Sequence, residues 1–360
     1  MLDLPEIRLR AVEHRAERRR CECGTVTAAG FPAQARAVAC YGPGVRGLVC
    51  YLTVGQYLPV ERAGELLGEV LGAPMATGTL AAITAEGAAG LGGFAEQVRA
   101  QLARAEVAHF DESGARVAGR LHWVHSASDA RLSWFVVHPK RGAEAMQDAG
   151  VLPGFGGVAV HDGWAPYWHY DKATHALCNA HHLRELEEAA TWPGQGWAAE
   201  MAEWLSLAHA AATRARDAGA ERVDPGVVAG LRGRYDQIIA KGCAANPPPA
   251  RHPGQRGRGK QPPAANLLGR LDARRGAVSR FLEDLRVPFS NNQAERDIRM
   301  VKLAQKISGC WRTVRGAEAF CLLRSYLATA RKQQANPLVV LRQLFEGDPW
   351  LPAPTLRAPP

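Results

Sequence analysis

Hydrophobic residues recur at helical spacing from residue 33 to about residue 104. The apolar runs are short, and Gly and Pro residues separate them, as in the polar turn around Pro74. Several short amphipathic helices joined by tight turns are typical of a helix-turn-helix-like bundle. We therefore predict a small helical DNA-binding domain at residues 33–104. A helical packing domain without DNA contact fits the same pattern.

The period changes at Glu106, where strand-like apolar runs replace the helical spacing. Three runs separated by short turns predict a three-strand meander, with the sequences VAHFDESGARVAG, RLHWVHSASD and RLSWFVVHP. A helix from Gly142 to Ala149 follows, and then two further strands, GVAVHDGW and THALCNAHH. Three antiparallel strands, a helix, a strand, a helix and a strand is the order of a ribonuclease H-like sheet. The predicted fold class is therefore α/β, with a ribonuclease H-like mixed sheet.

The remaining sequence predicts helices and one irregular segment. Helical spacing covers Trp192–Cys243 and Asn266–Leu285, and a Pro/Gly/Arg-rich loop at 246–263 separates them. The predicted organisation is an Arg-rich leader with a partial zinc knuckle at 1–32, the helical domain at 33–104, the first part of the catalytic domain at 105–184, a mainly helical insertion at 185–288, a Glu-bearing helix with C-terminal helices at 289–347, and a Pro-rich tail at 348–360.

Composition places this chain among globular proteins. It has 360 residues, of which 47% are hydrophobic and 22% are charged. No run of eighteen apolar residues occurs and the N-terminus lacks an apolar signal core, so we expect no membrane association and a cytoplasmic, nucleoid-associated location. Residues 251–332 hold 18 Lys/Arg and 6 Asp/Glu, a local charge of +12 within a total of +9. This concentration predicts a polyanion-binding face, although a solvated charged surface would give the same count.

The segment Ser290–Arg299 combines a helix-start signal with a cationic stripe. Asn292 followed three residues later by Glu295 is a capping box, which predicts that a helix begins here. From Glu295, steps of four, three and four residues keep the side chains on one helical face and reach Arg299, Lys302 and Lys306.

Two acidic residues lie in or directly after predicted apolar strands. Asp111 lies inside the first strand and Asp162 closes the fourth. A carboxylate in such a position is costly to bury unless it is paired or coordinates a metal. Together with Glu295 these residues would bind Mg²⁺ or Mn²⁺ for phosphodiester chemistry. Each also has a structural explanation: Asp111 and Asp162 as turn formers, and Glu295 as the second half of the capping box.

The eight cysteines show no disulfide rhythm. Cys21-Glu22-Cys23-Gly24 resembles half of a zinc knuckle, but no second pair precedes it, and a structural zinc site needs four ligands. We therefore expect no bound zinc at this segment.

Six segments of the chain resemble the DDE transposases of the insertion sequence 66 family: HFDESGARVAGRLHWVHSAS, HPKRGAEAM, VHDGWAPYW, HALCNAHHLREL, PFSNNQAERDIRMVKLAQKISGCWRT and SYLATARKQ. The resemblance extends from about Phe31 to Gly347. It implies that Asp111, Asp162 and Glu295 are a catalytic, metal-binding triad. Their separations are 162 − 111 = 51 and 295 − 162 = 133 residues, so the second interval implies a helical insertion.

A second motif of the resemblance is Cys178-Asn179-Ala180-His181, which is similar to the C-x-x-H signature of several transposase groups. By this resemblance His181 or His182 would contact DNA or steady the active site. A core histidine at a strand-to-helix junction is the alternative interpretation. The family also implies a longer N-terminal region with a complete zinc module, so this chain is interpreted as N-terminally short.

The resemblance implies a transposase that nicks DNA at insertion-sequence ends and transfers the freed strand to target DNA. Arg299, Lys302, Lys306 and Arg312 would hold phosphates. The expected partners are DNA, further copies of the chain on DNA and accessory proteins of the same element. End specificity would come from the helices of residues 41–100. A catalytically silent DNA-binding remnant and a resolvase-like nuclease are the competing hypotheses.

Overall fold

The computed structural model describes residues 1–3, 7–32, 35, 37–248 and 261–354. Most of the predicted loop at 246–263 and the end of the predicted tail at 348–360 lie outside the described residues. Within the described part the chain is α/β, with a five-strand mixed sheet, a small two-strand hairpin and many helices. No helix in these ranges is long and apolar enough to cross a membrane.

The N-terminal part is a hairpin followed by four helices. The exposed hairpin strands are β1 (Arg18–Arg20) and β2 (Val26–Ala28). The helices are α1 (Pro43–Cys50), which continues into a π-helical turn at Tyr51–Gly55, α2 (Val60–Leu71), α3 (Thr77–Ala89) and α4 (Gly92–Ala103). Gly72 ends α2 with a left-handed φ of 63°, a conformation that favours glycine.

The predicted meander is confirmed. Its strands are β3 (Val107–Val117), β4 (Arg120–Ser128) and β5 (Ser133–His138), and they pair antiparallel. The helix α5 (Ala143–Ala149) leads to β6 (Val158–His161) and β7 (Thr174–Leu177). The strand order is β5-β4-β3-β6-β7, in which β6 is parallel to both β3 and β7.

The connection between β6 and β7 differs from the predicted order, in which a helix separated these strands. It holds only a 3-10 turn at Ala165–His169, with proline in its first turn. Twelve residues, 162–173, separate the strands, which is close to the shortest length that can join parallel neighbours. At this length little chain is left over, and the connection forms a 3-10 turn instead of the predicted α-helix.

After β7 the chain forms a helical unit with its own hydrophobic core. The helices are α6 (Asn179–Ala190), α7 (Gly196–Asp217), α8 (Pro225–Ala245), α9 (Pro263–Ala273) and the short α10 (Arg275–Val278) and α11 (Arg280–Glu283). Their core includes Trp204, Leu271 and Phe281, and it extends to Val160 and Leu177 of the sheet. Burial of these large side chains joins the helical unit to the β6–β7 side of the sheet.

The last helices are α12 (Asn292–Ser308), α13 (Val314–Lys332) and α14 (Pro337–Glu346). Helix α12 packs on β3 and β4 through a buried face of Ala294, Ile298, Val301 and Ala304. Helix α13 covers the edge of the sheet, because the β5 amides of Ser133 and Phe135 donate to hydroxyls on this helix. These bonds satisfy donors that an open sheet edge would leave free.

The four N-terminal helices share one hydrophobic core with α13 and α14. Arg46 of α1 pairs with Glu86 of α3 and also lies 4.4 Å from the ring centroid of Phe345 in α14. Helix α1 approaches α14 so closely that a Cβ on Gly47 would lie 3.3 Å from the Leu341 side chain. The N-terminal helices are therefore packed into the same body as the C-terminal helices.

A largely buried but partly solvent-accessible ion pair joins α12 to α13. Lys332 Nζ lies 2.8 Å from Asp297 Oδ2 and also donates to the backbone oxygens of Asp129 and Leu132. The two charged side chains are only 14% and 15% exposed. We predict that Asp297→Ala, which leaves the Lys332 ammonium without its counter-ion, lowers the free energy of unfolding by about 3–5 kcal/mol. Urea denaturation measures this change.

The control for this prediction is Glu346→Ala, which removes the exposed partner of Arg342 on α14. Exposed pairs of this kind contribute less than about 1 kcal/mol. Equal losses in the two variants would show that burial does not strengthen the Asp297–Lys332 pair.

Candidate functional site at the strand ends

The parallel register of the sheet places Asp111 and Asp162 side by side. The last parallel pair of β3 and β6 is His109 with Val160, an offset of 51 residues. Two residues beyond this pair are Asp111, inside β3, and Asp162, the first residue after β6, which keep the same offset. Neighbouring strands lie about 4.8 Å apart, so these acidic residues lie at the same edge of the sheet.

The next strand contributes Cys178 to the same row. The last pair of β6 and β7 is His161 with Leu177, and the residues that follow them are Asp162 and Cys178. The Cys178 amide donates to the His161 carbonyl over 2.9 Å, which continues the pairing beyond the strands. Three neighbouring strands therefore present a carboxylate, a carboxylate and a thiol at one level.

Asn291 holds the start of α12 against this row. Its Nδ2 donates to the Phe110 carbonyl over 2.8 Å, and its Oδ1 lies 2.8 Å from His109 Nδ1. Its backbone N–H donates to Cys178 Sγ over 3.1 Å. Asn291 is 2% exposed, so these contacts satisfy its buried polar groups.

The predicted capping box is not formed. Helix α12 begins at Asn292 with Asn291 as the N-cap residue, and no side chain caps the helix. Asn292 is exposed, and the Glu295 amide makes an ordinary helical bond to the Asn291 carbonyl over 3.2 Å. The prediction is wrong because the side chain of Asn291 bonds to β3 instead of to the helix amides.

Glu295, one turn into α12, faces Cys178 and His181. Its Oε1 lies 3.7 Å from Cys178 Sγ and 3.9 Å from His181 Nδ1. The donor atoms of these three side chains all lie within 4.8 Å of one another, and no other trio of His, Cys, Asp or Glu in the described residues does so. The carboxylates of Asp111 and Asp162 are therefore not gathered around Glu295 in the same way.

The other predicted histidine has a structural environment. His182 is buried, and its Nδ1 lies 3.0 Å from Asn179 Oδ1. Burial lowers the pKa of His182 to about 4. This side chain matches the core-histidine interpretation, whereas His181 lies next to Glu295.

Asp111 lies in a crowded, electronegative environment. Burial, and then the charges of Glu112, Asp162 and Glu295, raise its pKa to about 7, against one backbone N–H bond that lowers it. That bond comes from the Glu112 amide over 2.8 Å. Asp162 is exposed and accepts from the Trp164 amide over 2.8 Å, in a turn at Gly163, whose φ is 91°. The site therefore concentrates negative charge.

A buried carboxylate beside Asp111 was not predicted. The Glu112 side chain is 1% exposed and accepts from Arg141 over 2.7 Å and from the Tyr167 hydroxyl over 2.6 Å. The Arg141 guanidinium also lies 4.0 Å from the Trp164 ring centroid. Burial raises the pKa of Glu112, and its bonds to Tyr167 and Arg141 oppose that shift. Its adjacency to Asp111 is the only local signal, because its partners are distant in the chain.

Three of the four cationic side chains of α12 have no partner among the described residues, whereas Arg296 donates to Gln293. Arg299, Lys302 and Lys306, which we call the α12 stripe, are exposed, and within the described residues they make no ion pair or hydrogen bond. The eleven-residue step from Glu295 to Lys306 spans about 17 Å of helix. Exposed Arg312 lies beyond the helix, where the Trp311 amide bonds to Arg116 near the end of β3. We call Asp111 and Asp162 the acidic row. The stripe therefore leads away from the acidic row toward Arg312.

The N-terminal helices carry the opposite charge. Residues 41–100 hold three arginines and five glutamates, a sum of 3 − 5 = −2. Arg46 is paired with Glu86, and Arg99 lies over the Trp134 ring at 5.7 Å. Two of the three arginines are therefore engaged in internal packing.

The predicted zinc-knuckle remnant forms the turn of the β1–β2 hairpin. Cys21 and Cys23 are exposed, and Cys23 Sγ donates to Thr25 Oγ1 over 3.2 Å. No third ligand joins these thiols among the residues that the structure describes.

Comparison with known proteins gives one match. The sequence model of the transposase IS66 family matches residues 39–319, which is 281 of the 360 residues. The matched range includes the acidic row, Cys178 and all of α12. No curated protein matches the chain.

The raised pKa of Asp111 predicts a pH-dependent stability difference in metal-free buffer. Stability from its protonated carboxyl is fully present below the unfolded pKa, near 3.8, and is lost as pH rises through about 7. Asp111→Asn avoids this loss. The quantity of interest is the free energy of unfolding of Asp111→Asn minus that of the unmodified protein. This difference should increase by about 1–3 kcal/mol between pH 5 and pH 8.

Urea denaturation at the two pH values measures this difference. Asp171→Asn, in an exposed turn before β7, makes the same chemical change away from the acidic row. A difference for Asp111→Asn that does not vary with pH would contradict the raised pKa.

Proposed function

The chain belongs to the transposase IS66 family, and on that premise we propose that it is a DDE transposase. It would nick DNA at the ends of an insertion sequence and join the freed 3′ ends to target DNA. The observation that carries this proposal is the shared offset of 51 residues, which aligns Asp111 with Asp162 at one sheet edge beside the Glu295-bearing helix. The antiparallel meander followed by two parallel strands supports a ribonuclease H-like assignment for the sheet.

The acidic row fits a divalent metal. Burial, and then the charges of Glu112, Asp162 and Glu295, raise the pKa of Asp111, so a cation bound there would be favoured. Asp111, Asp162 and Glu295 offer the oxygen ligands that Mg²⁺ or Mn²⁺ prefers. When bound, such ions supply activation of a water or 3′-hydroxyl and stabilisation of the leaving oxygen. In the nicking step a water oxygen bonds to phosphorus as the bond to the 3′ oxygen breaks.

The protein's own residues would position these groups. Asn291 holds the start of α12, and therefore Glu295, against β3. The bonds from Arg141 and Tyr167 keep the neighbouring Glu112 carboxylate turned into the protein. Glu112 therefore stiffens the strand that carries Asp111 without competing for its ligand position.

DNA would lie along the α12 stripe. Its free cations can each displace a counter-ion from a phosphate, which gives affinity without sequence preference. The charge of −2 on residues 41–100 and the internal use of Arg46 and Arg99 favour a packing role for α1–α4 over phosphate contact. Recognition of transposon ends by those helices would then depend on contacts other than cationic ones.

A second candidate function has one observation in its favour. Glu295 Oε1 points at Cys178 and His181, and the donor atoms of the three proposed catalytic carboxylates do not form a close group within the described residues. A DNA-binding remnant without cleavage would keep the stripe and need no such group. Metal-dependent cleavage distinguishes the two functions.

The decisive experiment is Mg²⁺-dependent nicking and strand transfer on DNA that carries the element's ends. Asp111→Asn and Asp162→Asn should each reduce the rate about 100–1000-fold, because several kcal/mol of metal-dependent stabilisation is lost. Asp171→Asn should react like the unmodified protein. If DNA is bound but neither the unmodified protein nor the control cleaves it, the remnant is the correct function. Cleavage unaffected by both row substitutions would refute the proposed site.

The stripe predicts a change in salt dependence. Lys302→Ala combined with Lys306→Ala should weaken binding to all DNA sequences and reduce the slope of log K against log salt by about 1.8. Fluorescence anisotropy over a salt series measures both quantities. Lys172→Ala combined with Lys241→Ala removes two exposed lysines away from α12 and should leave the slope unchanged. An unchanged slope in the stripe variant would exclude phosphate contact there.

A further inference from the structure

Cys178, His181 and Glu295 offer a sulfur, an imidazole nitrogen and a carboxylate oxygen at one point. We propose that these side chains form a second metal site, for Zn²⁺ or an ion of similar chemistry, which shares Glu295 with the all-oxygen site proposed above and is an alternative to it. The site would use three protein ligands and one solvent molecule, the arrangement of open zinc sites. The metal site can exist whether or not the proposed DNA chemistry is correct. Only its effect on that chemistry, through Glu295, rests on the proposed function.

The separations of the donor atoms are close to those of a tetrahedral centre. Zinc bonds of about 2.3 Å to sulfur and about 2.0 Å to nitrogen or oxygen put neighbouring ligands about 3.3–3.5 Å apart. Glu295 Oε1 lies 3.7 Å from Cys178 Sγ and 3.9 Å from His181 Nδ1. The three donor atoms lie within 4.8 Å of one another, so side-chain rotations without movement of the backbone would bring them to these separations.

The surroundings of two donors bear on ion binding. Cys178 Sγ accepts the Asn291 N–H over 3.1 Å, which holds the sulfur against the start of α12. Burial raises the pKa of this thiol, so an ion would displace its proton on binding. The buried Nδ1 atom of His181 has no hydrogen-bond partner in the described structure. An unsatisfied buried nitrogen is unfavourable, and coordination to a metal ion would give it a partner.

The local fold gives this set both rigidity and access. Cys178 is the N-cap residue of α6 and His181 lies in its first turn, so the C-x-x-H spacing turns both side chains toward α12. Cys178 is buried, whereas the His181 and Glu295 side chains are 38% and 29% exposed. An ion can therefore enter from the solvent side, where the fourth ligand would be water.

The donor types separate this site from the acidic row. Thiolate and imidazole ligands select Zn²⁺ and Co²⁺, whereas carboxylates alone suit Mg²⁺ and Mn²⁺. A sulfur-to-metal charge-transfer band is therefore diagnostic, because ions bound only by oxygen do not produce it. Co²⁺ is a suitable probe, since it takes tetrahedral sites that bind Zn²⁺ and is coloured in them.

The test is a Co²⁺ titration of the full chain carrying Cys21→Ser and Cys23→Ser, which removes the exposed thiol pair of the hairpin. We expect one equivalent of Co²⁺ to produce a sulfur-to-cobalt band that Zn²⁺ abolishes. In this background Cys178→Ser should lose the band, and Cys310→Ser, which removes an exposed thiol after α12, should retain it. Circular dichroism establishes that each variant is folded.

His181→Ala provides a second, independent readout at a partly exposed side chain. It should keep the sulfur-to-cobalt band but weaken Co²⁺ affinity at least about tenfold and reduce the visible bands of tetrahedral cobalt. The proposal is overturned if no band forms, if Cys178→Ser keeps it, or if His181→Ala binds Co²⁺ with unchanged affinity and spectrum. These spectra need no DNA, so their failure is separate from a failure of the transposase assay.

Discussion

The bonds of Asn291 join three parts of the chain that are far apart in the sequence. Its side chain bonds to His109 and Phe110 of β3, and its amide bonds to Cys178 at the end of β7. Each buried polar group left unsatisfied would cost about 1–3 kcal/mol, so the three contacts together resist displacement of the helix start. Helix α12 must therefore begin beside the early residues of β3 and the end of β7. Glu295, one turn later, must then lie beside Cys178 and close enough to Asp111 for the two charges to interact.

Local periodicity was sufficient to predict the elements of the sheet but not their contacts with α12. The alternating runs after Glu106 predicted the meander, and acidic residues in apolar strands singled out Asp111 and Asp162. The capping box predicted at Asn292 and Glu295 was wrong, because the pattern includes only residues within one helical turn and leaves out distant partners. The actual partners of Asn291 are 113 and 181 residues away along the chain. No local pattern contains such a separation.

Local sequence patterns also could not show which charged side chains are neutralised by distant partners. The excess of +12 over residues 251–332 predicted a cationic face, but many of those arginines are neutralised within the helical unit. Arg270, Arg275, Arg280 and Arg286 pair with Glu185, Asp236, Glu283 and Asp284, respectively. Because the α12 stripe makes no such pairs in the described structure, it concentrates the usable positive charge on one helix. Glu112 is the converse case, an acidic residue beside Asp111 whose charge Arg141 offsets inside the protein.

In both proposed metal sites Glu295 is a ligand. One site has only carboxylate oxygens, and the other combines the Glu295 oxygen with the sulfur of Cys178 and a nitrogen of His181. The position of α12 cannot select between them, because Asn291 holds its start and the Asp297–Lys332 pair holds its second turn. The freedom that remains lies in the torsions of the Glu295 side chain, whose rearrangement costs about 1–2 kcal/mol at most. The ion that is bound would therefore determine where the Glu295 carboxylate points, without any movement of the helix.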